Sequence, residues 1–234
     1  MFTSCQNGSI IFRCEMFLIM ISEVFMARPV VTERSLARKE EIMNACLELY
    51  KDFSFKDISI KDIADYTSFS RPSIYNYFET KEEIFLAIYQ KEYESWKKDL
   101  DKIAVPKRTN AVKQFADKLA KTLNKRFFLL KLLSMNQYDM EEYSRIDRLT
   151  EFKEAYGASM TALENALKRT FKGFTKAKCD EFIYSFMPFM IGIYPYAYVT
   201  KKQSDAMKKA GLKFKKQTVY EIAYNMIVKL LEKA

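Results

Sequence analysis

The chain has 234 residues, 49% of them apolar, which is ample for one large domain or two of ordinary size. Five glycines and five prolines are too few turn formers for a many-stranded β protein, and the lack of histidine excludes His-based zinc sites, Ser-His-Asp triads and Cys-His dyads together. The formal charge is +9, but residues 26–99 carry 12 basic against 14 acidic side chains and residues 1–25 a net −1, so the excess lies in residues 100–234.

Residues 1–25 are unlike the rest. The apolar run Phe17–Ile21 is too short to span a membrane, and neither a cationic start nor a small-residue cleavage site marks a secretory signal. The segment is expected to be an unstructured extension, or translation assigned upstream of a true start at Met26, and no membrane partner is expected. Cys5, Cys14, Cys46 and Cys179 are scattered without a C-x-x-C pair, the pattern of reduced thiols in a cytosol, with no metal or cofactor implied.

From Glu33 to Tyr50 the apolar positions Leu36, Ile42, Ala45, Cys46, Leu49 and Tyr50 fall mostly three or four apart, which predicts an amphipathic helix. After a break at Asp52–Ile58, Ser59 opens Ser-Ile-Lys-Asp, a capping-box-like start to a short helix that buries Ile60, Ile63 and Ala64. Thr67-Ser68-Phe69 interrupts it. Ser70 then caps a third helix, with Pro72 in the first turn and Ile74 and Phe78 pointing inward. Thr80-Lys81-Glu82-Glu83 is a second capping box, opening a long helix that carries Ile84, Ile88 and Trp96 and stops before Pro106. Two short helices between two longer ones outline a helix-turn-helix unit.

Beyond Pro106 the pattern predicts helices over Asn110–Leu133, Ser144–Phe171, Lys176–Tyr194 and Lys216–Lys233, with breaks that are polar or carry Gly173, Pro195 and Gly211. No β alternation appears, so the expected fold class is all-α. The stretch Lys201–Lys216 holds seven lysines and reads as a solvated connector or helix face.

The segment from about Leu36 to Ile84 resembles the tetracycline-repressor (TetR) family of one-component bacterial transcriptional regulators. The matching residues are Ile42, Ala45 and Leu49, then Ile60, Ile63 and Ala64, then Ser70, Arg71, Ile74, Tyr75, Tyr77, Phe78, Lys81 and Glu82, the string Ser-Ile-Tyr-Asn-Tyr-Phe-Glu-Thr-Lys-Glu from Ser73 being the most specific part. The resemblance implies a helix-turn-helix DNA-binding domain over 33–96, its motif at about 59–78, followed by a larger helical effector-binding and dimerisation domain over 107–234. In one respect the chain departs from the family, which places glycine where Ser54 and Ser68 stand. Serine in a left-handed helix C-cap is expected to cost about 1 kcal/mol.

A recognition helix from Arg71 to Phe78, about 12 Å long, fits a major groove with its first residues nearest the bases. With Ile74 and Phe78 buried, Arg71, Pro72, Tyr75 and Asn76 remain for base edges. Arg71 has the fork for guanine, Asn76 suits adenine, and Pro72 and the Tyr75 ring offer apolar contact to thymine methyls. Ser73 and Tyr77 are better placed for phosphates, as is Ser59 at its helix start. Spacing alone leaves Tyr75 and Tyr77 equally readable as packing residues; the resemblance implies DNA contact. Lys81 opposes the macrodipole of the helix it opens, a placement that a phosphate neighbour makes favourable and that the resemblance implies. Arg28, Arg34, Arg38 and Lys39 form a basic arm directed at backbone or minor groove.

The helices over Lys176–Tyr194 and Lys216–Lys233 are apolar around more than one stripe. They are readable as monomeric core; the resemblance implies instead a homodimer through 176–194 and 216–233. Phe127, Phe128, Phe152 and Tyr156 read as core or as pocket lining, and no ligand residue is identifiable. The expected function is a DNA-binding regulator, a dimeric repressor on double-stranded, near-palindromic operator DNA, released by a small, mainly apolar effector. The alternative is a TetR-like DNA binder controlled by a protein partner. No constellation of catalytic groups supports an enzyme.

Overall fold

Helix α1 (Glu33–Asp52) starts where the Thr32 hydroxyl accepts the Ser35 amide, and it buries the expected stripe of Ile42, Ala45, Cys46, Leu49 and Tyr50. Leu36, expected on that stripe, is 55% exposed, because the neighbours of α1 first cover it at Ile42. The computed structural model describes residues 32–105, 110–135 and 137–232. The expectations for residues 1–25, Met26, Arg28 and Pro106 lie outside the described residues.

A 3-10 turn (Phe55–Asp57) leads to α2 (Ile60–Asp65), α3 (Arg71–Ile74) and α4 (Lys81–Asp101). The chain continues through α5 (Ala111–Asn124), α6 (Phe127–Leu133), α7 (Gln137–Glu142), α8 (Ile146–Thr170), α9 (Lys176–Ala197), α10 (Lys201–Lys209) and α11 (Val219–Glu232). Among the described residues every regular element is helical: an all-α fold with a small helix-turn-helix unit ahead of a larger helical body. No single helix among them is long and apolar enough to cross a membrane.

Helix α4 belongs to both parts. It packs along α8 and also touches α1, α5, α6 and α7. Trp96, fully buried in α4, donates its indole N–H to the Thr122 hydroxyl of α5 at 3.0 Å. On the α8 side the buried Ser159 hydroxyl donates to the Tyr93 carbonyl at 2.9 Å, a contact that needs a small side chain where the two helices cross. In the second half, α11 lies against α5 and α9, burying Val219, Ala223, Ile227 and Leu231.

Several predicted boundaries move. Asn110–Leu133 is two helices, α5 and α6, because Arg126 leaves the helical region (φ −114°, ψ 60°) and buries its guanidinium against α4. There it meets the Ser95 carbonyl at 2.8 Å and the Asp99 carboxylate, with Glu92 at 3.7 Å. A buried cation must be paired, and reaching these partners sets the bend. Pro195 does not break its helix: α9 carries Pro188 and Pro195 inside its length. Both prolines are exposed, so the carbonyls they leave unbonded lie on the outer face. Gly173 and Gly211 end helices as expected, each with a positive φ (91° and 69°). Helix α7 carried no sequence signal, and α10 is a solvated helix with no buried residue.

Replacing Trp96 by alanine is expected to destabilise the chain by about 3–5 kcal/mol through the cavity and the lost indole bond. Denaturant unfolding measures this; a loss below about 1 kcal/mol would show that α4 and α5 hold together without the indole.

Candidate nucleic-acid interface

The short α2 is fixed by a complete capping box. The Ser59 hydroxyl accepts the Asp62 amide at 3.3 Å, and the Asp62 carboxylate accepts the Ser59 amide at 2.9 Å and its hydroxyl at 2.6 Å. These Ser59 bonds hold the Asp62 carboxyl below its usual range. The turn that follows contains no glycine and needs none. Among the described non-glycine residues only Asn110 has a positive φ, and Ser54 is extended at φ −82°. The expected serine penalty is therefore absent. The Ser68 amide instead donates to Glu41 of α1 at 2.7 Å, and the Thr67 hydroxyl accepts the Phe69 amide at 3.2 Å.

Helix α3 is shorter than predicted. Its α-helical residues are Arg71–Ile74, and the Tyr77 and Phe78 amides still bond to the Ile74 carbonyl at 2.9 and 3.1 Å. Ser70 stands at the N-cap position without capping: its hydroxyl pairs with that of Ser73 at 2.9 Å. Ile74 and Phe78 are buried, which turns Arg71, Pro72, Tyr75 and Asn76 outward together. Arg71 donates to the Tyr75 hydroxyl at 3.3 Å, with its guanidinium 6.0 Å from that ring.

The flanking residues have their own partners. Tyr77 is half-buried, and its hydroxyl accepts from Arg38 of α1 at 3.3 Å while Arg38 stacks 5.3 Å from the Phe69 ring. Arg34 is exposed. Lys39 faces away, its pKa lowered by burial and by Arg148 of α8, so the basic arm divides at Arg38. The Lys81 ammonium is not a free cation. It donates to the carbonyls of Phe55 and Ile58 at 2.9 and 3.0 Å and lies 4.4 Å from the Phe55 ring. Those carbonyls offset the dipole conflict that the sequence pattern assigned to a phosphate.

The second capping box forms only half. Thr80 accepts the Glu83 amide at 3.2 Å, but the Glu83 carboxylate bonds to the Glu79 amide at 3.0 Å and to Arg145, at the start of α8. Arg145 gives its backbone amide (3.2 Å), Nε (2.6 Å) and Nη2 (2.8 Å) to Glu83 and reaches Glu79 at 3.0 Å. The Thr80 hydroxyl donates to the Tyr143 carbonyl at 3.0 Å. Glu83 is completely buried. Burial pushes its carboxyl up, but the Arg145 and amide bonds outweigh this and hold it below the usual range. Sequence reasoning assigned Glu83 a capping role and gave Arg145 none, because 62 residues separate the partners.

Two family models match the chain: "Bacterial regulatory proteins, tetR family" over residues 42–88 and "Tetracyclin repressor-like, C-terminal domain" over residues 90–226. Similar solved structures include PfmR, a TetR family transcriptional regulator of Thermus thermophilus, at TM-score 0.51 and 14% identity, covering 82% of this chain and 97% of that one. A TetR transcriptional regulator of Rhodococcus sp. aligns at 0.50 and 13% identity, covering 83% and 97%. A protein of Mesorhizobium loti assigned to the TetR family aligns at 0.54 and 13% identity, covering 86% and 98%. At these identities the likeness is one of fold. Comparison with curated proteins finds no match.

The clamp has a pH signature. Because the native Glu83 pKa is depressed, its contribution to stability is complete above the ordinary value of 4.5 and is lost as pH falls through the lower native value. Arg145→Ala removes the guanidinium and leaves only amides against burial. It is expected to destabilise the chain by about 1–3 kcal/mol at neutral pH. The gap to wild type should narrow below pH 4.5 in thermal unfolding across a pH series; a gap constant with pH would assign the loss to packing instead.

Proposed function

The chain belongs to the tetR family of bacterial regulatory proteins, DNA-binding transcriptional regulators, and on that premise we propose that it is a ligand-released repressor acting as a homodimer on a near-palindromic operator. The outer face of α3 carries the reading: Arg71, Pro72, Tyr75 and Asn76 are exposed above buried Ile74 and Phe78. Arg71 reads guanine after giving up its exposed contact with Tyr75, Asn76 reads adenine, and Pro72 and the Tyr75 ring meet thymine methyls. Ser73 and Tyr77 hold phosphates, Tyr77 with its own hydroxyl proton while Arg38 steadies the oxygen. Lys81 uses two N–H groups on carbonyls and keeps the third for a phosphate. Ser59 offers a phosphate the start of α2 once Asp62 gives way.

The dimer forms through residues 176–194 and 216–233. The outer side of α9 supports this, with Tyr184 78% exposed and Pro188 and Ile191 beside it. The effector enters a cleft of about 280 Å³ between α4, α8 and α9, lined by Tyr89, Tyr93, Phe152, Tyr156 and Met187, with Tyr184, Pro188 and Ile191 of the proposed dimer face at its edge. The Tyr93 and Tyr156 hydroxyls, pushed up by burial, add no charge to a site suited to a mainly apolar molecule. An occupant moves α4 against α8 and so changes the spacing of two recognition helices that must fit grooves about 34 Å apart.

Footprinting on DNA flanking the chain's own gene supplies the operator for the tests. Arg71→Ala is expected to weaken specific binding by about 1–3 kcal/mol and to leave non-specific binding nearly intact. Lys81→Ala should weaken all sequences alike, lower the salt slope by about 1 per half-site and, through the lost carbonyl bonds, destabilise the free protein by about 1 kcal/mol. Fluorescence anisotropy over a salt series separates the two, and equal losses on specific and random DNA for Arg71→Ala would remove it from base reading. Once an effector is found, calorimetry with and without saturating operator must show the same coupling, about 1–3 kcal/mol, in both directions. Equal effector affinity in the two titrations would rule out ligand release.

A further inference from the structure

The lysines of residues 201–216 take no part in this reading. All seven are exposed, Asp205 is the one acid among them, and among the described residues none forms a salt bridge. Lys215 alone senses a carboxylate, that of Glu221, at longer range. Beneath this face lies a cavity of about 790 Å³ between the end of α9, α10 and the start of α11. Lys208 and Lys216 stand on its lining, and Met207, Leu212, Phe214 and Val219 give it an apolar floor. Leu212 and Phe214 are 63% and 44% exposed. No residue of the helix-turn-helix unit or of the aromatic cleft lines it.

We propose that this cleft is a second ligand site, one that binds an amphiphile with an anionic headgroup, the carboxylate between Lys208 and Lys216 and the chain over Met207, Leu212 and Val219. Two observations select that chemistry. The lysines lack the carboxylate partners that Lys51, Lys121 and Lys168 have, so an anion gains charge-assisted bonds without breaking internal ones. A DNA phosphate or an inorganic anion has no use for the apolar floor, whereas each methylene covered there contributes about 0.8 kcal/mol. Phe214 walls the cleft off from a separate groove of Pro188, Gly192, Tyr196 and Ile222 on the proposed dimer face, so a second copy of the chain is not the occupant.

The test is calorimetric titration of the full chain with decanoate, with decanol, and with inorganic phosphate. Decanoate should bind at one site per chain, and a Lys208→Ala/Lys216→Ala variant, both positions exposed and its melting temperature unchanged, should bind about tenfold or more weakly. Lys153→Ala, at the aromatic cleft, should leave decanoate affinity unaltered. Unchanged affinity in the double variant, a loss in Lys153→Ala instead, or decanol or phosphate binding as tightly as decanoate would each overturn the site. A flotation assay with phosphatidylglycerol vesicles covers the remaining source of such a headgroup. Vesicle binding that decanoate does not compete would assign the lysines to a bilayer surface and overturn the cleft as well.

Discussion

A carboxylate buried without its partner is among the least tolerable features of a folded chain, and Glu83 is completely buried at the first turn of α4. Its charge is met by the Glu79 amide, by the Arg145 amide and by two nitrogens of the Arg145 guanidinium. Every element that supplies those groups is thereby fixed in place. The corner at 79–83, where the helix-turn-helix unit passes into α4, cannot separate from the start of α8 without stranding a charge. The helix-turn-helix unit is therefore mechanically continuous with the larger body, although the two family models meet inside α4, at residues 88 and 90.

A second tie lies at the C-terminal end of α1. Lys131 of α6 donates to the Tyr50 carbonyl and sits 4.0 Å from the Tyr50 ring, while the Tyr50 hydroxyl faces the Met135 sulfur. Helix α1 is thus held to α6, and the α4 corner is held to α8. Between these ties the aromatic side chains of α4 and α8 interlock, with Tyr89 4.9 Å from Phe152 and Tyr93 5.3 Å from Tyr156. These rings also line the cleft proposed for the effector, so a molecule entering it displaces the contacts that set the angle between α4 and α8. Of the two ties the Glu83–Arg145 pair resists stretching more, because a lengthened ion pair exposes a desolvated charge, whereas Lys131 holds a carbonyl and a ring.

What was legible in the sequence is what local chemistry decides. The apolar stripe of α1 from Ile42 onward, the Ser59 box and the buried pair Ile74 and Phe78 follow from spacing and from one-turn hydrogen bonds, and each stands where the pattern put it; Leu36, placed on the same stripe, is exposed. Ser70 and Thr80 show the limit of that reasoning. Both occupy N-cap positions, but the Ser73 hydroxyl claims Ser70, and Arg145 draws Glu83 out of the box. The break at Arg126 and the partners of Lys81 depend on acceptors 23 or more residues away, which no periodicity encodes. The glycine-free turn was misjudged for the same reason: Glu41, on a different helix, satisfies the Ser68 amide without any left-handed residue.

The small domain's charge is the last point on which composition misleads. A net of −2 over residues 26–99 looks hostile to a polyanion, but charge count and surface field differ when the acids are internally engaged. Glu41 holds the Ser68 amide, Asp57 the Ser54 hydroxyl, Asp62 the start of α2, Glu40 pairs with Lys91, and Glu79 and Glu83 share Arg145. These carboxylates cap, brace and clamp the scaffold, and those of Glu40, Glu79 and Glu83 are each met by a cation that offsets their field. On the outer face of α3, by contrast, Arg71 has only a neutral tyrosine hydroxyl beside it, while Arg38 of α1 rests on Tyr77 and the Phe69 ring with the Glu41 carboxylate close enough to feel its charge. A cation held by a neutral group, as Arg71 is, keeps its attraction for the negative potential of a nucleic acid. The acids that lower the net charge therefore build the scaffold beneath a face on which Arg71 stays unneutralised, so a negative count over the domain is compatible with a DNA-binding surface.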